Sequence, residues 1–438
     1  MKNTTRFPFA SLLLVVMAAL TVSSCGSFIC NPVGGSGTGT GAVALDPMTH
    51  NGTSNNTAQA HPLLSPAATT PATCSTSGTG PATCSSTDTP TQVMYSVTST
   101  GAIVAYGIDS TTGALTLICP TATAAVGELV VSNNKFLYVL DETSTKPSIL
   151  GFIIGHGDTG TVTANGQSFT FGATGEVLDD KTNIEADPSG HLLFVTNYTD
   201  GLIHVFLINQ GAGTLTEATG SPLNLIGNPD FLAVSKDGKF AYVPDDVTAQ
   251  ISVFSLNAVT GAMTLTQTVN DDGGSAQPGR FIAIHPNGNF LYTTDFSQIS
   301  AYSVDTTTGD LGVGAGAVPG SPFDLPATMD PSFFAIDSTG GFLYVIDFNS
   351  PGIGIAGFVL DSTGTGALQG QVPNSPFALS ITNAIVSNPL GAEVYVLGGT
   401  TTGDLINVYG ITTATGALVA PTSSTLTASS NLVISNVQ

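Results

Sequence analysis

From residue 91 onward, short apolar runs of four to eight residues alternate with clusters of Gly, Asn, Asp and Thr. Apolar runs of that length, rich in Val, Ile, Phe and Tyr and bounded by turn residues, predict β-strands. No amphipathic stretch of helical length separates them, so a parallel sheet with crossover helices is not expected. The clearest unit reads FIAIHPNG, NFLYTTD and QISAYSVDTTTGDL between Phe281 and Leu311. It predicts an apolar strand, a glycine turn, an aromatic strand, a short loop, a third strand and a Thr-Gly-x-Leu turn into a fourth.

The unit recurs. Its second strand carries an aromatic anchor at Tyr95, Tyr138, Phe194, Tyr242, Tyr292, Tyr344 and Tyr395, at intervals of 43 to 56 residues. The turn before the fourth strand carries Gly113, Gly213, Gly261, Gly309, Gly366 and Gly416, with a degraded copy near Gly160. Periods of about 40–50 residues with four short strands per unit indicate a β-propeller. The fold predicted for 91–438 is therefore all-β, a seven-bladed β-propeller of four-stranded antiparallel blades. The first copy lacks its innermost strand, while Asn431-Leu432-Val433-Ile434-Ser435-Asn436 matches Glu128-Leu129-Val130-Val131-Ser132-Asn133 in the second copy. The C-terminal strand is accordingly expected to complete the first blade, pairing edges that would otherwise stay open.

The N-terminal region has a different character. Lys2 and Arg6 precede an apolar run from Phe9 to Val22, followed by Val22-Ser23-Ser24-Cys25. A basic start, a short apolar core and small residues before a cleavage point predict a secretory signal over 1–24. The run is too short to span a bilayer as a helix, which needs about 20 residues. The tetrad resembles a bacterial lipobox, which implies that Cys25 is lipidated. The expected location is thus the bacterial cell envelope, exported and lipid-anchored, with the membrane as one partner. Residues 25–90 are rich in Gly, Ser, Thr, Asn and Pro and predict a flexible tether. Within it Pro-Ala-Thr-Cys occurs twice, ending at Cys74 and Cys84, a candidate disulfide that would close a short loop. Cys30 and Cys119 are left over. No metal site is expected, since no His lies at ligand spacing from these cysteines.

Composition narrows the partners. Eight Lys plus Arg against 30 Asp plus Glu give a formal net charge of −22, and charged residues are only 9% of the chain. Beyond the leader a single arginine remains, Arg280. A surface of this kind does not neutralise phosphates, so nucleic acid is excluded as a partner. The chain is expected to act as a monomer on an unknown small molecule or protein, with no cofactor.

Leu193-Phe194-Val195-Thr196-Asn197, Phe290-Leu291-Tyr292, the His285-Pro286-Asn287-Gly288 turn and the Thr-Gly-Ala-Leu runs at 112–115 and 415–418 resemble the seven-bladed lactonase-like and YVTN-repeat propellers. The resemblance covers about 91–438. It implies lactone hydrolysis of the 6-phosphogluconolactonase kind, with an Arg-His pair opening an innermost strand and an Asn-Glu pair ending the next. Such chemistry needs a cation or donor for the developing oxyanion and a base that prepares water. Here Arg280 matches the first pair, but Phe281 stands at its histidine position. Asp295-Phe296 follows where Asn-Glu would be expected, and Asp141-Glu142 in the second blade matches the acidic pair better. One arginine and a few scattered lysines are a poor provision for a phosphorylated substrate.

Three residues beyond each anchor stand Thr98, Asp141, Asn197, Asp245, Asp295, Asp347 and Gly398. Equivalent blades would set these side chains around one rim of the central channel. They either cap the following turns by accepting backbone N–H bonds or form an acidic mouth for cationic ligands. The reading is a lipid-anchored, lactonase-like propeller that binds a ligand or protein partner at this rim, the candidate residues being Asp141, Asn197, Asp245 and Asp347. The alternative is a divergent lactone hydrolase with Arg280 polarising the carbonyl and Glu142 or Asp295 as general base. His285 is expected in a turn on the opposite rim, and His204, between Ile203 and Val205, in the core.

Overall fold

The computed structural model describes strands 73–75 and 83–85 and residues 90–436, apart from 98–100, 124–126, 142–145, 156–159, 173–175, 177, 179–181, 226, 246, 271–280, 296, 314–315, 328, 348–353, 362–363, 380–383, 401–402, 420–421 and 428–431. The periodic part forms seven antiparallel sheets, each with a path of four strands. The third sheet carries one extra two-residue strand, Leu223–Asn224, beside its third strand. The innermost strands, from first blade to seventh, are Val433–Asn436, Leu129–Ser132, Asn183–Ala186, Ala233–Val234, Phe281–Ile284, Pro331–Ile336 and Ala384–Ser387. Innermost strands touch from the first blade to the second, the second to the third, the fourth to the fifth, the fifth to the sixth and the sixth to the seventh, which sets the sheets radially around a channel. This is the seven-bladed propeller that the repeats predict.

The closure is as the sequence implies. Val433–Asn436 pairs antiparallel with Gln92–Val97, placing Tyr95 opposite Val433 and Gln92 opposite Asn436. One blade thus holds strands from both ends of the ring. Farther upstream, strands Thr73–Ser75 and Thr83–Ser85 pair with Cys74 opposite Cys84 in the backbone register. Cys25 and Cys30 lie outside the described residues.

The two recurring sequence signals turn out to be the two halves of one bond. All seven anchors are fully buried. The hydroxyl of an anchor tyrosine donates to the carbonyl of the turn glycine in the next blade: Tyr95 to Gly160 at 2.9 Å, Tyr138 to Gly213 at 2.8 Å, Tyr292 to Gly366 at 2.8 Å and Tyr344 to Gly416 at 2.7 Å. Tyr395 closes the circle on Gly113 of the first blade at 3.0 Å. The glycines are required twice over. Gly213, Gly309, Gly366 and Gly416 have φ between +66° and +78°, a region that costs other L-residues about 1–2 kcal/mol. A Cβ at each would also collide with the ring of Phe136, Phe240, Phe290 or Phe342 in the preceding blade. Anchor phenol, phenylalanine and glycine therefore weld neighbouring blades at one end, and burial pushes the phenols up, which keeps them protonated as donors.

Candidate functional site

The other end of the blades carries the loops that follow the second strands. Asp245 ends its strand and Asp295 follows directly on Phe290–Thr294, and each carboxylate is taken up by its own turn. Asp245 Oδ1 accepts from the amides of Val247 at 2.9 Å and Thr248 at 2.8 Å. Asp295 Oδ1 accepts from Ser297 at 2.7 Å and Gln298 at 2.6 Å. Asp347 accepts from the Asp330 amide at 3.1 Å, and Asp141 from the Ser148 hydroxyl at 3.4 Å. Asn197 Oδ1 accepts from the Asp200 amide at 3.2 Å. These residues share one end of the ring, and turn capping accounts for Asp245, Asp295 and Asn197, while Asp347 and Asp141 bond to neighbouring strands. Of the alternative catalytic set, Asp295 is the one described, and it is a buried cap; Arg280 and Glu142 lie outside the described residues.

Inside the channel three neighbouring blades present aromatic rings. Phe231, Phe281 and Phe333 come from the innermost segments of the fourth, fifth and sixth blades. The Phe231 and Phe281 ring centroids are 4.9 Å apart, Phe281 and Phe333 4.6 Å, and Phe231 and Phe333 5.8 Å. The fourth and sixth blades have a whole blade between them, so contact between their phenylalanines has to be made in the channel. Phe281, the residue at the histidine position of the resembled motif, is therefore part of an apolar trio. At the same end of the blades, buried polar side chains without a hydrogen-bond partner among the described residues include the Asn183 amide, opening the third innermost strand, the Thr294 hydroxyl, opposite Phe281 in the strand register, and the Ser96 hydroxyl of the first blade. Buried polar groups are nearly always satisfied, so these side chains are exceptions within the blade interiors.

A polar cluster that the sequence does not announce occupies the third blade. His204 is fully buried, its Nε2 is 2.8 Å from Glu176 Oε1 and its Nδ1 is 2.9 Å from Glu217 Oε1. Asn197 Nδ2 donates to the same Glu176 oxygen at 3.0 Å, and the Ser221 hydroxyl donates to Glu217 at 2.8 Å. Each imidazole nitrogen faces a carboxylate oxygen. The ring also lies edge-on to Phe171 at 4.8 Å. The cluster ties the segment leading into the third blade to that blade's outer strands. With Glu176 only 3% exposed at its side chain, it serves as a clasp and is closed to substrate. His285 sits in its turn as expected: Nδ1 accepts from the Asn287 amide at 3.1 Å and Nε2 donates to the Gly340 carbonyl at 2.8 Å. Burial holds its pKa below the usual histidine range, so it is a neutral structural link between the fifth and sixth blades.

Among the described residues no group of three or more His, Cys, Asp or Glu is placed to hold a metal ion. Glu185, in the third innermost strand, has a pKa raised well above the carboxylate range, first by burial and then by repulsion from Asp187.

Comparison with known proteins follows the same lines. At 28% identity over 176 residues, the chain resembles the 6-phosphogluconolactonase of Serratia proteamaculans, covering 39% of this chain and half the length of that protein. It is 27% identical over 264 residues to the 6-phosphogluconolactonase of Formosa agariphila, covering 56% of this chain and 70% of that one. Among solved structures, a putative 6-phosphogluconolactonase of Bacteroides uniformis superposes with a TM-score of 0.64 at 18% identity, over 78% of this chain and 99% of the other. The periplasmic gluconolactonase of Pseudomonas aeruginosa does so with a TM-score of 0.62 at 17% identity, over 79% and 99%. The family model described as lactonase, 7-bladed beta-propeller, matches residues 85–224 and 228–323, and with the ring of seven blades in place the chain belongs to that lactonase family.

Proposed function

We propose that this lactonase-family propeller is a binding module that receives a small, weakly charged ring compound at the channel mouth, outside the cytoplasm. The observation that carries this reading is the Phe231–Phe281–Phe333 trio, which fills with apolar surface the place where the resembled motif has its histidine. Predominantly apolar walls are what small-molecule sites offer. A phosphorylated ligand finds little here, because the chain has only two arginines and six lysines. The acidic rim repels anions further. The basic, apolar leader of 1–24 and Cys25 support export and a lipid anchor, and the periplasmic address in the name of the Pseudomonas relative agrees with export.

A second reading, lactone hydrolysis, is favoured by the names of the sequence relatives. It would use Arg280 on the carbonyl and Glu142 or Asp295 as base. The deciding experiment combines proton release in weak buffer with calorimetric binding, over a panel of sugar and aliphatic lactones and their open acids. The binding reading expects saturable heat without turnover above the spontaneous rate. Turnover that disappears in Arg280→Ala would overturn it in favour of the hydrolase. Loss of acyl-chain labelling and release from the envelope in Cys25→Ala tests the anchor; unchanged retention would remove it.

A further inference from the structure

Two anchors interrupt the ring of inter-blade bonds: Phe194, which has no hydroxyl, and one tyrosine. Tyr242, in the fourth blade, is fully buried like its counterparts, yet its hydroxyl has no hydrogen-bond partner. The turn glycine it would reach, Gly309, still packs over Phe240 as the equivalent glycines do over theirs. Tyr242 instead lines a cavity of about 220 Å³ between the fourth and fifth blades, with Ser235, Lys236, Asp237, Phe240, Asn287 and Thr306 among the other wall residues. The cavity lies at the turn end of the blades, opposite Asp245 and the channel mouth.

We propose that this cavity is a second binding site, for a single neutral sugar ring. Size comes first: the volume is below the ~300–1,000 Å³ of sites for drug-sized ligands, yet room for roughly seven waters. Charge comes next. Lys236 and Lys239 flank the site, Lys239 pairs with Asp237 at 2.7 Å, and the carboxylates of Asp237, Asp310 and Asp305 all act on the Tyr242 phenol. Two ammoniums against three carboxylates leave no excess that would hold an anion. Hydrogen-bonding capacity settles the class. Tyr242 donates, Lys236 has N–H groups beyond the one given to the Pro286 carbonyl, Asp237 accepts, and the Thr306 and Asn287 side chains do both, over an apolar floor of Phe240 and Val304, while the Ser235 hydroxyl is taken up by Asp237 and the amides of Lys239 and Phe240. A cyclic polyol presents hydroxyls that donate and accept around a C–H face, which matches that wall. The phenol, pushed up first by burial, remains a donor, and a ligand oxygen would supply the acceptor that the turn glycine supplies in the other blades.

The test is calorimetric and saturation-transfer NMR titration of the full chain with glucose, galactose, mannose and gluconate. Tyr242→Phe removes one oxygen and keeps the ring, and Phe194 occupies the equivalent place in the third blade, so this variant folds. A neutral hexose should bind saturably, Tyr242→Phe should weaken it about tenfold, the size of one hydrogen bond, and Tyr292→Phe should leave it unchanged. No saturable binding up to about 10 mM, equal affinity in Tyr242→Phe, or preference for gluconate would each overturn the proposal. Because the site is separate from the channel, the lactone panel succeeds or fails independently of it.

Discussion

Replacing anchor tyrosines by phenylalanine deletes the same atom from near-identical surroundings, and the structure assigns three different costs. In Tyr344→Phe the Gly416 carbonyl loses the 2.7 Å bond from the neighbouring blade. It has no other donor among the described residues, and leaving a buried acceptor unsatisfied costs about 1–3 kcal/mol. In Tyr138→Phe the Gly213 carbonyl also accepts from Asn165 Nδ2 at 2.9 Å, so the acceptor stays paired and the loss falls to about 0.5–1 kcal/mol. In Tyr242→Phe no bond exists to be lost, and removing an unsatisfied hydroxyl leaves stability unchanged or slightly raised. Urea unfolding followed by far-UV circular dichroism suits a chain without tryptophan. The midpoints should rank Tyr344→Phe lowest, Tyr138→Phe next, and Tyr242→Phe at or above the unsubstituted protein. Equal midpoints for all three, or the largest loss at Tyr242, would refute the account of the blade welds.

Further outcomes follow from the packing and the buried charges. Gly213→Ala combines a φ of +66° with a Cβ directed into the Phe136 ring, and should lower unfolding stability by about 2–4 kcal/mol. His204→Ala removes a bond from each of Glu176 and Glu217, which keep Asn197 and Ser221 as donors, and with the ring's packing lost should cost about 2–4 kcal/mol, read as a drop in Tm with loosened hydrogen exchange in the third blade. Glu185 has a folded-state pKa above its unfolded value. Its contribution to stability is therefore full below the unfolded pKa and is lost as pH rises through the folded one. Glu185→Gln should reduce the fall in Tm as pH rises above the ordinary carboxylate range; an unchanged pH profile would argue against the buried, protonated carboxyl.

The fold was legible because its strongest signals are mutually dependent. A tyrosine every fifty residues and a glycine every fifty residues each mark one partner of an inter-blade bond, and neither works alone. The closing strand could be found for a related reason: Leu432 and Val433 had to duplicate the pattern of Leu129 and Val130 to fit the same slot. The acidic rim was legible as a position and open as a role, since an Asp that caps a turn and one that faces a ligand look alike in sequence. Phe231, Phe281 and Phe333 stand 50 and 52 residues apart, so the repeat alignment that located the anchors also carried the channel wall. The third-blade clasp had no such signal. Glu176 and Glu217 lie 28 and 13 residues from His204 on either side of it, and only the folded sheet brings them to one imidazole.

The strand Val433–Asn436 has a consequence for how the chain reaches this state during synthesis. The partner strand Gln92–Val97 emerges about 340 residues earlier, and at about 5–20 residues per second it waits roughly 20–70 s with its inner edge exposed. Blades two to seven can assemble in order, but the circle shuts only when the last strand arrives. Throughout that interval the half-built first blade presents an unpaired edge to whatever else is nearby. Such an edge is a template for pairing with another chain, so the window before closure is where misassembly competes with folding.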